Sequence, residues 1–344
     1  MSSLFGIGGG GNVGAAGGFY SYSIDQSLRF NNDDSAYLSR TPASAGSKTT
    51  FTLSAWVKRG SVTESCMIFG AGTSGSQYFF LGIDSSGQLV TEEVVSSNTW
   101  LKRSTRLLRD ASSWYHIVCT IDTNNGTADD RVRLYVNGER ITSFTSNINP
   151  SSGVGTHWNG TSRHDVGGAS AGNSGARWDG YLCDIYHIDG TALEPTSFAE
   201  TVNGVWVPKA YDTADGGYGT NGYHLEFANS ASIGTDTSGQ GNNHSVTNLA
   251  AHDVVPDSPT NNFATMNKLQ VQGPSQTAPY ALSEGNLKMT STANAYAQMS
   301  GAMGVQGGKW YTETYINSAG YPSWYIGWIA RDRLTTFTGS ADFE

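Results

Sequence analysis

Carboxylates are the first residues to test for chemistry in this chain. A glycoside hydrolase needs two of them on one strand face, a fixed distance apart across the scissile bond. Asp179, Asp184 and Asp189 are spaced by five, so a period-two strand turns Asp184 away from the other two. Glu92 and Glu93 are adjacent and point apart, while Thr312-Glu313-Thr314 offers a single carboxylate. No strand-like run carries Glu, Asp and Glu at alternate positions. Nucleophilic catalysis fares no better, because no Gly-x-Ser-x-Gly element joins a strand to a helix. His157, His164 and His187 lack metal-ligand spacing and companion cysteines. His116 and His187 fall on predicted strands, where outward-facing or hydrogen-bonded surface positions are expected. The pattern predicts no enzyme.

Binding chemistry has better candidates. The loop 149–165 holds His157, Trp158, Asn159, Arg163, His164 and Asp165, and Trp100 lies in another polar loop. Aromatic rings beside amides and charges are what a sugar site uses, so Trp158, His157, Asn159, Arg163 and Trp100 are the candidate ligand contacts. Trp158 has a second reading as simple packing. Trp56, Trp114 and Trp178 sit on strand-patterned runs, where core or sheet-face packing is expected. A net charge of -9 excludes the basic footprint of a nucleic-acid binder. Cys66, Cys119 and Cys183 each lie in an apolar run, the setting of buried free thiols. No apolar run is long enough to span a bilayer, so no membrane insertion is expected. A secretory signal is absent on the same reading.

The elements that must position these residues are strands. From Trp114 to Gly138, Ile117, Cys119 and Ile121 share one face, then Val132, Leu134 and Val136 alternate with Arg131, Arg133 and Tyr135. Asn137-Gly138 supplies the left-handed pair of a two-residue hairpin turn. Such a hairpin needs a second sheet over its apolar face. Further runs follow one another closely: Leu28-Arg29-Phe30, Ala36-Tyr37-Leu38, Phe51 to Val57, Met67-Ile68-Phe69, Tyr78 to Ile83, and Asp179 to His187. Regular short strands between Gly, Asn and Asp turns predict an all-β sandwich.

In order, Leu28 to Leu38, Phe51 to Val57, Trp114 to Gly138 and Asp179 to Tyr186 resemble the concanavalin A-like jelly roll, in its laminin-G-like and pentraxin-like branch. The predicted organisation is a Gly-rich N-terminal tail at 1–20, a sandwich at 21–200, a connecting β segment at 201–263, and the truncated start of a SPRY-like β domain at 264–344. That last resemblance rests on Leu287 to Thr290, Gly308 to Ile316 and Tyr325 to Trp328, and it predicts a second, incomplete β-sandwich. The run 201–263, with the Gly-rich start and the sandwich, is similar to tail-fibre and appendage proteins of tailed phages from marine and cyanobacterial hosts. This resemblance implies a virion protein made in the host cytoplasm and acting in host-surface adhesion. It also implies docking on other tail proteins through the N-terminal tail, a homo-oligomer with a trimer favoured, and a glycan or receptor on the host. A decoration protein without a receptor and a polysaccharide depolymerase are the alternatives. Laminin-G-like relatives hold calcium at the sandwich rim. Asn32, Asp33 and Asp34 are the candidate metal residues here, with Asp236, Asn242 and Asn243 as a second oxygen-rich loop. Asx residues also occupy such turns for backbone reasons alone.

Overall fold

The structure is a computed structural model that describes residues 19–95, 97–168, 176–272, 280–291, 298–305, 309–316 and 326–328. The sandwich is built from β1 (Ser27–Phe30), β2 (Tyr37–Arg40), β3 (Thr50–Arg59), β4 (Cys66–Ser74), β5 (Gln77–Ile83), β6 (Gln88–Val95), β7 (Ser97–Leu107), β8 (Tyr115–Asp122), β9 (Val132–Val136), β10 (Glu139–Arg140), β11 (Phe144–Ile148), β12 (His164–Val166) and β13 (Gly180–Asp189). A short hairpin follows, β14 (Ala199–Val202) with β15 (Val205–Pro208), then β16 (Tyr223–Leu225), β17 (Ser245–Thr247) and β18 (Val254–Val255).

Two eight-stranded antiparallel sheets face each other. The first runs β10-β9-β8-β3-β13-β1-β18, with β16 also paired to β13; the second runs β11-β7-β6-β5-β4-β12-β2-β17. Alternation explains the core between them. Phe51, Leu53, Ala55 and Val57 of β3 meet Ile117, Cys119 and Ile121 of β8, Val132, Leu134 and Val136 of β9, and Phe79 and Leu81 of β5, all buried in one cluster. The β9–β10 turn forms at Asn137 (φ 52°) and Gly138 (φ 80°), as the Asn-Gly pair requires. All three cysteines are free and buried.

The segment 201–263 is more than a connection. β16 pairs with β13, β17 with β2 and β18 with β1, so this stretch completes both sheets. Together with Ile24, Phe198 and Ala199, its Trp206, Tyr211, Tyr218 and Val255 cover the outer face of the first sheet. Trp56, Trp114, Tyr181 and Cys183 pack there under Ile24, Ala199 and Val255, and Val118, Tyr135, Tyr186 and Ile188 pack under Phe198. Two buried cations pin the cover. Lys58 Nζ contacts Asp257 at 2.8 Å and donates to Asn262 and to the Phe263 carbonyl. Arg29 reaches Asp253 at 2.9 Å and Glu284 at 3.0 Å. The other Asp257 oxygen accepts from Trp114 Nε1 at 3.0 Å. Burial pushes the Lys58 ammonium down and the Asp257 carboxyl up, each opposed by the partner's charge.

Beyond residue 263 the described residues form two small ladders, β19 (Met266–Gln272) with β22 (Gln298–Gly301), and β20 (Tyr280–Ser283) with β21 (Lys288–Ser291). Lys309 to Ile316, within the run predicted as a strand, are mostly exposed and pair with no strand among the described residues. Period-two patterning makes a strand only where a neighbouring strand accepts its hydrogen bonds. Gly308, Tyr325 and residues 1–18 lie outside the described residues.

Candidate functional site

Placing the predicted ligand residues corrects most of them. Trp158 is fully buried, its ring 5.5 Å from Phe69, 5.7 Å from Phe79, 4.6 Å from His164 and 5.6 Å from His187. Trp100 is equally buried against Phe79. Neither ring can meet a ligand, because the sandwich closes over both. His157 is a clamp: its backbone N–H donates to Glu93 at 3.0 Å and its Nδ1 contacts the same carboxylate. Glu93 points into the sandwich and burial pushes its carboxyl up, against the opposing contacts of His157. Asn159, at φ 62°, is buried and ties three segments together. Its Nδ2 donates to the Ser47 carbonyl at 3.0 Å and to Asp189 at 2.5 Å, and its Oδ1 accepts from Asn221 at 3.0 Å. Of the loop's candidates, Arg163 alone keeps a substantially exposed side chain.

The oxygen-rich loops are turns. Asn31 Oδ1 accepts from Asp33 N, Asn31 Nδ2 donates to Asp34, and Asn32 Nδ2 donates to Glu64. Asp236 accepts from the backbone N–H groups of His224, Ser238 and Asn242 at 2.8 to 3.0 Å. Those bonds hold its carboxyl below the usual range even though burial pushes it up. Among the described residues no group of three or more His, Cys, Asp or Glu is arranged for a metal. In the Asn32-Asp33-Asp34 loop the side chains of Asn32 and Asp34 are taken up by Glu64 and Asn31.

The histidines expected at the surface are buried. Trp206 Nε1 can only donate, so His116 Nδ1 accepts at 3.2 Å and Nε2–H donates to Ser54 Oγ at 2.8 Å. The ring is neutral, and burial lowers its pKa to about 3. His187 faces inward, with Nδ1–H donating to the Asn221 carbonyl. Burial again lowers the pKa to about 3. These outward-patterned and inward-patterned positions share one cause: both faces of the first sheet are covered.

The outer face of the second sheet differs. Cross-strand register sets Ser39, Asp165, Gly70, Phe80, Glu92 and Leu101 in one row. Phe79 and Leu81 enter the core, so Tyr78 and Phe80 point outward. Both are partly exposed, and their rings stack at 5.9 Å with 20° between planes. Tyr78 OH donates to Glu92 at 3.4 Å, and burial is the main influence raising the Glu92 carboxyl. Arg103, across from Val90, adds a cation held at 3.4 Å by Asp84. An aromatic pair beside a carboxylate can stack on a sugar face and accept its hydroxyls. Asp165 and Glu92 stand three strand spacings apart, roughly 14 Å. That exceeds the ~5 to 9.5 Å of glycosidase carboxyl pairs. The signal for this face was present in Gln77–Ile83, where apolar residues occupy both alternations.

A groove of about 540 Å³ lies elsewhere, beside β17, lined by Ile233, Val246 and Leu249 with Ser232, Thr235 and Asn243. Its described lining holds no Phe, Tyr or Trp ring and no carboxylate. His244 also borders it, but both ring nitrogens are buried.

Comparison with known proteins places the sandwich. Residues 30–197 match the family model described as the Concanavalin A-like lectin/glucanases superfamily. No curated protein matches the chain. Among solved structures, the chain is similar to a heptameric SAP-like pentraxin from Limulus polyphemus, at 18% identity and TM-score 0.37, over 50% of this chain and 80% of that one. It is similar to a putative carbohydrate binding protein from Bacteroides ovatus at 20% identity and TM-score 0.43, over 65% and 58% of the two chains. Domains LG4-5 of the mouse laminin alpha1 chain align at 12% identity and TM-score 0.35, over 58% and 48%. The two facing sheets that hold residues 30–197 form a concanavalin A-like jelly roll.

Proposed function

We propose that this chain is a non-enzymatic, glycan-binding component of a tailed-phage appendage, such as a tail fibre, acting in adhesion to the host surface. The observation that carries the binding reading is the stacked Tyr78–Phe80 pair with Glu92 on the outer face of the second sheet. Stacking is tolerant of sugar identity, while Glu92 and Arg103 would select hydroxyl orientation. The family description covers both lectins and glucanases. The roughly 14 Å between Glu92 and Asp165 favours the lectin side. The appendage setting rests on the sequence resemblance of the Gly-rich start and of 201–263. In it, residues 1–20 dock on tail proteins and a homo-oligomer, a trimer by that resemblance, multiplies weak single sites into avidity.

Glycan-array binding and adsorption to host cells test this. The double variant Tyr78→Ala/Phe80→Ala should lose glycan and cell binding at an unchanged melting midpoint, since both rings lie outside the core. Full binding by that variant would remove the site. Immunolabelling of purified particles tests the setting, and label on the capsid or on no particle would overturn it.

A further inference from the structure

The same outer face carries a second cluster, at the β2–β12 side. Tyr37 points outward because Leu38 enters the core, and Asp165 points outward because Val166 does. Arg163 and Arg177 both lie over the Tyr37 ring, their guanidinium carbons 5.2 Å and 4.9 Å from its centroid. Arg163 is satisfied by Asp165 at 2.8 Å. The single buried carboxylate leaves one of the two guanidinium charges over. Arg177 Nη1 is buried without a hydrogen-bond partner among the described residues, as is Asp165 Oδ1. Nη1 is closed off on the protein side, and the rest of the guanidinium, on a side chain that is only partly buried, carries the leftover charge outward.

We propose that Arg177, braced on Tyr37 beside the Arg163–Asp165 pair, binds an anionic group, a carboxylate or sulfate, on the glycan. The inference rests on the glycan-binding reading and narrows its substrate to acidic sugars. A planar guanidinium fork matches either oxyanion in a two-point contact, and a stacked ring holds the fork in place. This is a local site and not a general polyanion surface, because the whole chain carries a net charge of -9. Asp165, buried and paired with Arg163, holds that guanidinium in place and leaves Arg177 to meet the anion.

The test uses the full chain and matched pairs of oligosaccharides, one carboxylated and one with that carboxyl reduced to the alcohol, with a sulfated oligosaccharide as a third arm. Wild type should bind the carboxylated or the sulfated member at least about tenfold more tightly than its neutral counterpart, the worth of one charge-assisted pair. Arg177→Gln should erase that ratio while retaining neutral-glycan binding and the melting midpoint. Equal affinities in wild type, or an undiminished ratio in R177Q, would overturn the proposal. Inorganic sulfate gives a readout independent of sugars: against chloride at equal ionic strength it should raise the wild-type midpoint and leave R177Q unmoved. A sulfate effect without any glycan binding would sink the glycan reading and keep the anion site. Absence of a sulfate effect would sink the anion site.

Discussion

Acid should loosen this protein through its buried histidines, and His244 isolates the effect. Its ring lies T-shaped to Tyr223 at 4.5 Å, with both nitrogens buried and no hydrogen bond to either. Burial lowers its pKa from 6.5 to about 3, with the nearby Arg40 charge acting in the same direction. The folded ring therefore stays neutral while the unfolded ring takes up a proton below pH 6.5. Stability from this group is complete above that pH, is lost as pH falls toward 3, and changes no further below. Linkage makes the loss negligible at pH 7 and about 2 kcal/mol at pH 5. His244→Phe removes the titration and leaves no ring hydrogen bond unmet. Any overpacking by the larger ring is the same at both pH values and cancels. Urea unfolding of wild type and H244F at pH 7 and pH 5 should show the variant gaining about 2 kcal/mol on wild type across that interval. His116, His164 and His187 carry lowered pKa values by the same cause, so wild type itself should fall steeply. The buried Glu93 and Asp257, with raised carboxyl pKa values, oppose the fall. The comparison with H244F is free of that offset. Parallel stability curves for the two proteins would refute the neutral-histidine reasoning.

Three further outcomes follow from buried contacts. Lys58→Met leaves Asp257 buried without its cation and should cost about 3 to 5 kcal/mol in denaturant unfolding. Adding Asp257→Asn should restore most of this, because Asn can still accept from Trp114; a single variant as stable as wild type would contradict the clamp. Trp158→Ala should lower stability by about 3 to 5 kcal/mol, and any binding defect should track that loss, which a thermal melt beside a binding assay separates. Calcium should leave the melting midpoint unchanged; a rise that disappears in Asp33→Asn/Asp34→Asn would restore the metal reading of that loop.

Alternation was a good guide wherever one strand face is core. The Trp114 to Gly138 hairpin shows it, since Ile117, Cys119 and Ile121 occupy the core and Asn137-Gly138 makes the turn. It failed for His116, which reads as a solvent-side residue between two apolar ones. What buries it is Trp206, from a hairpin ninety positions later, and no local pattern announces so distant a cover. Trp158 failed for the opposite reason: a loop rich in polar residues carried one ring that plugs the sandwich mouth. The face proposed to bind was legible in part. Apolar residues at both alternations of Gln77–Ile83 mark Tyr78 and Phe80 as outward, but Arg177 reaches Tyr37 only because Met67 N–H bonds the Ala176 carbonyl and Trp178 N–H bonds the Gly167 carbonyl.

The covering of the first sheet decides which side of this protein can bind. A jelly roll offers two outer faces, and here one is closed by Phe198, Trp206 and Val255 and held by Lys58–Asp257 and Arg29–Asp253. Buried ion pairs are a poor source of net stability but fix one arrangement against others, since any shift strands a charge. The segment 199–263 is thereby locked onto that side. The partly exposed Tyr78, Phe80, Glu92 and Leu101 on the second sheet are left as the broad aromatic-bearing face. The hairpin at Trp114 to Gly138 belongs to the closed side, so its residues support the sandwich and stand away from the proposed binding face. Loosening the cover, as in Lys58→Met, should thus lower stability while the affinity of the protein that remains folded stays at the wild-type value. A parallel loss of per-molecule affinity would show that the two faces are coupled through the core.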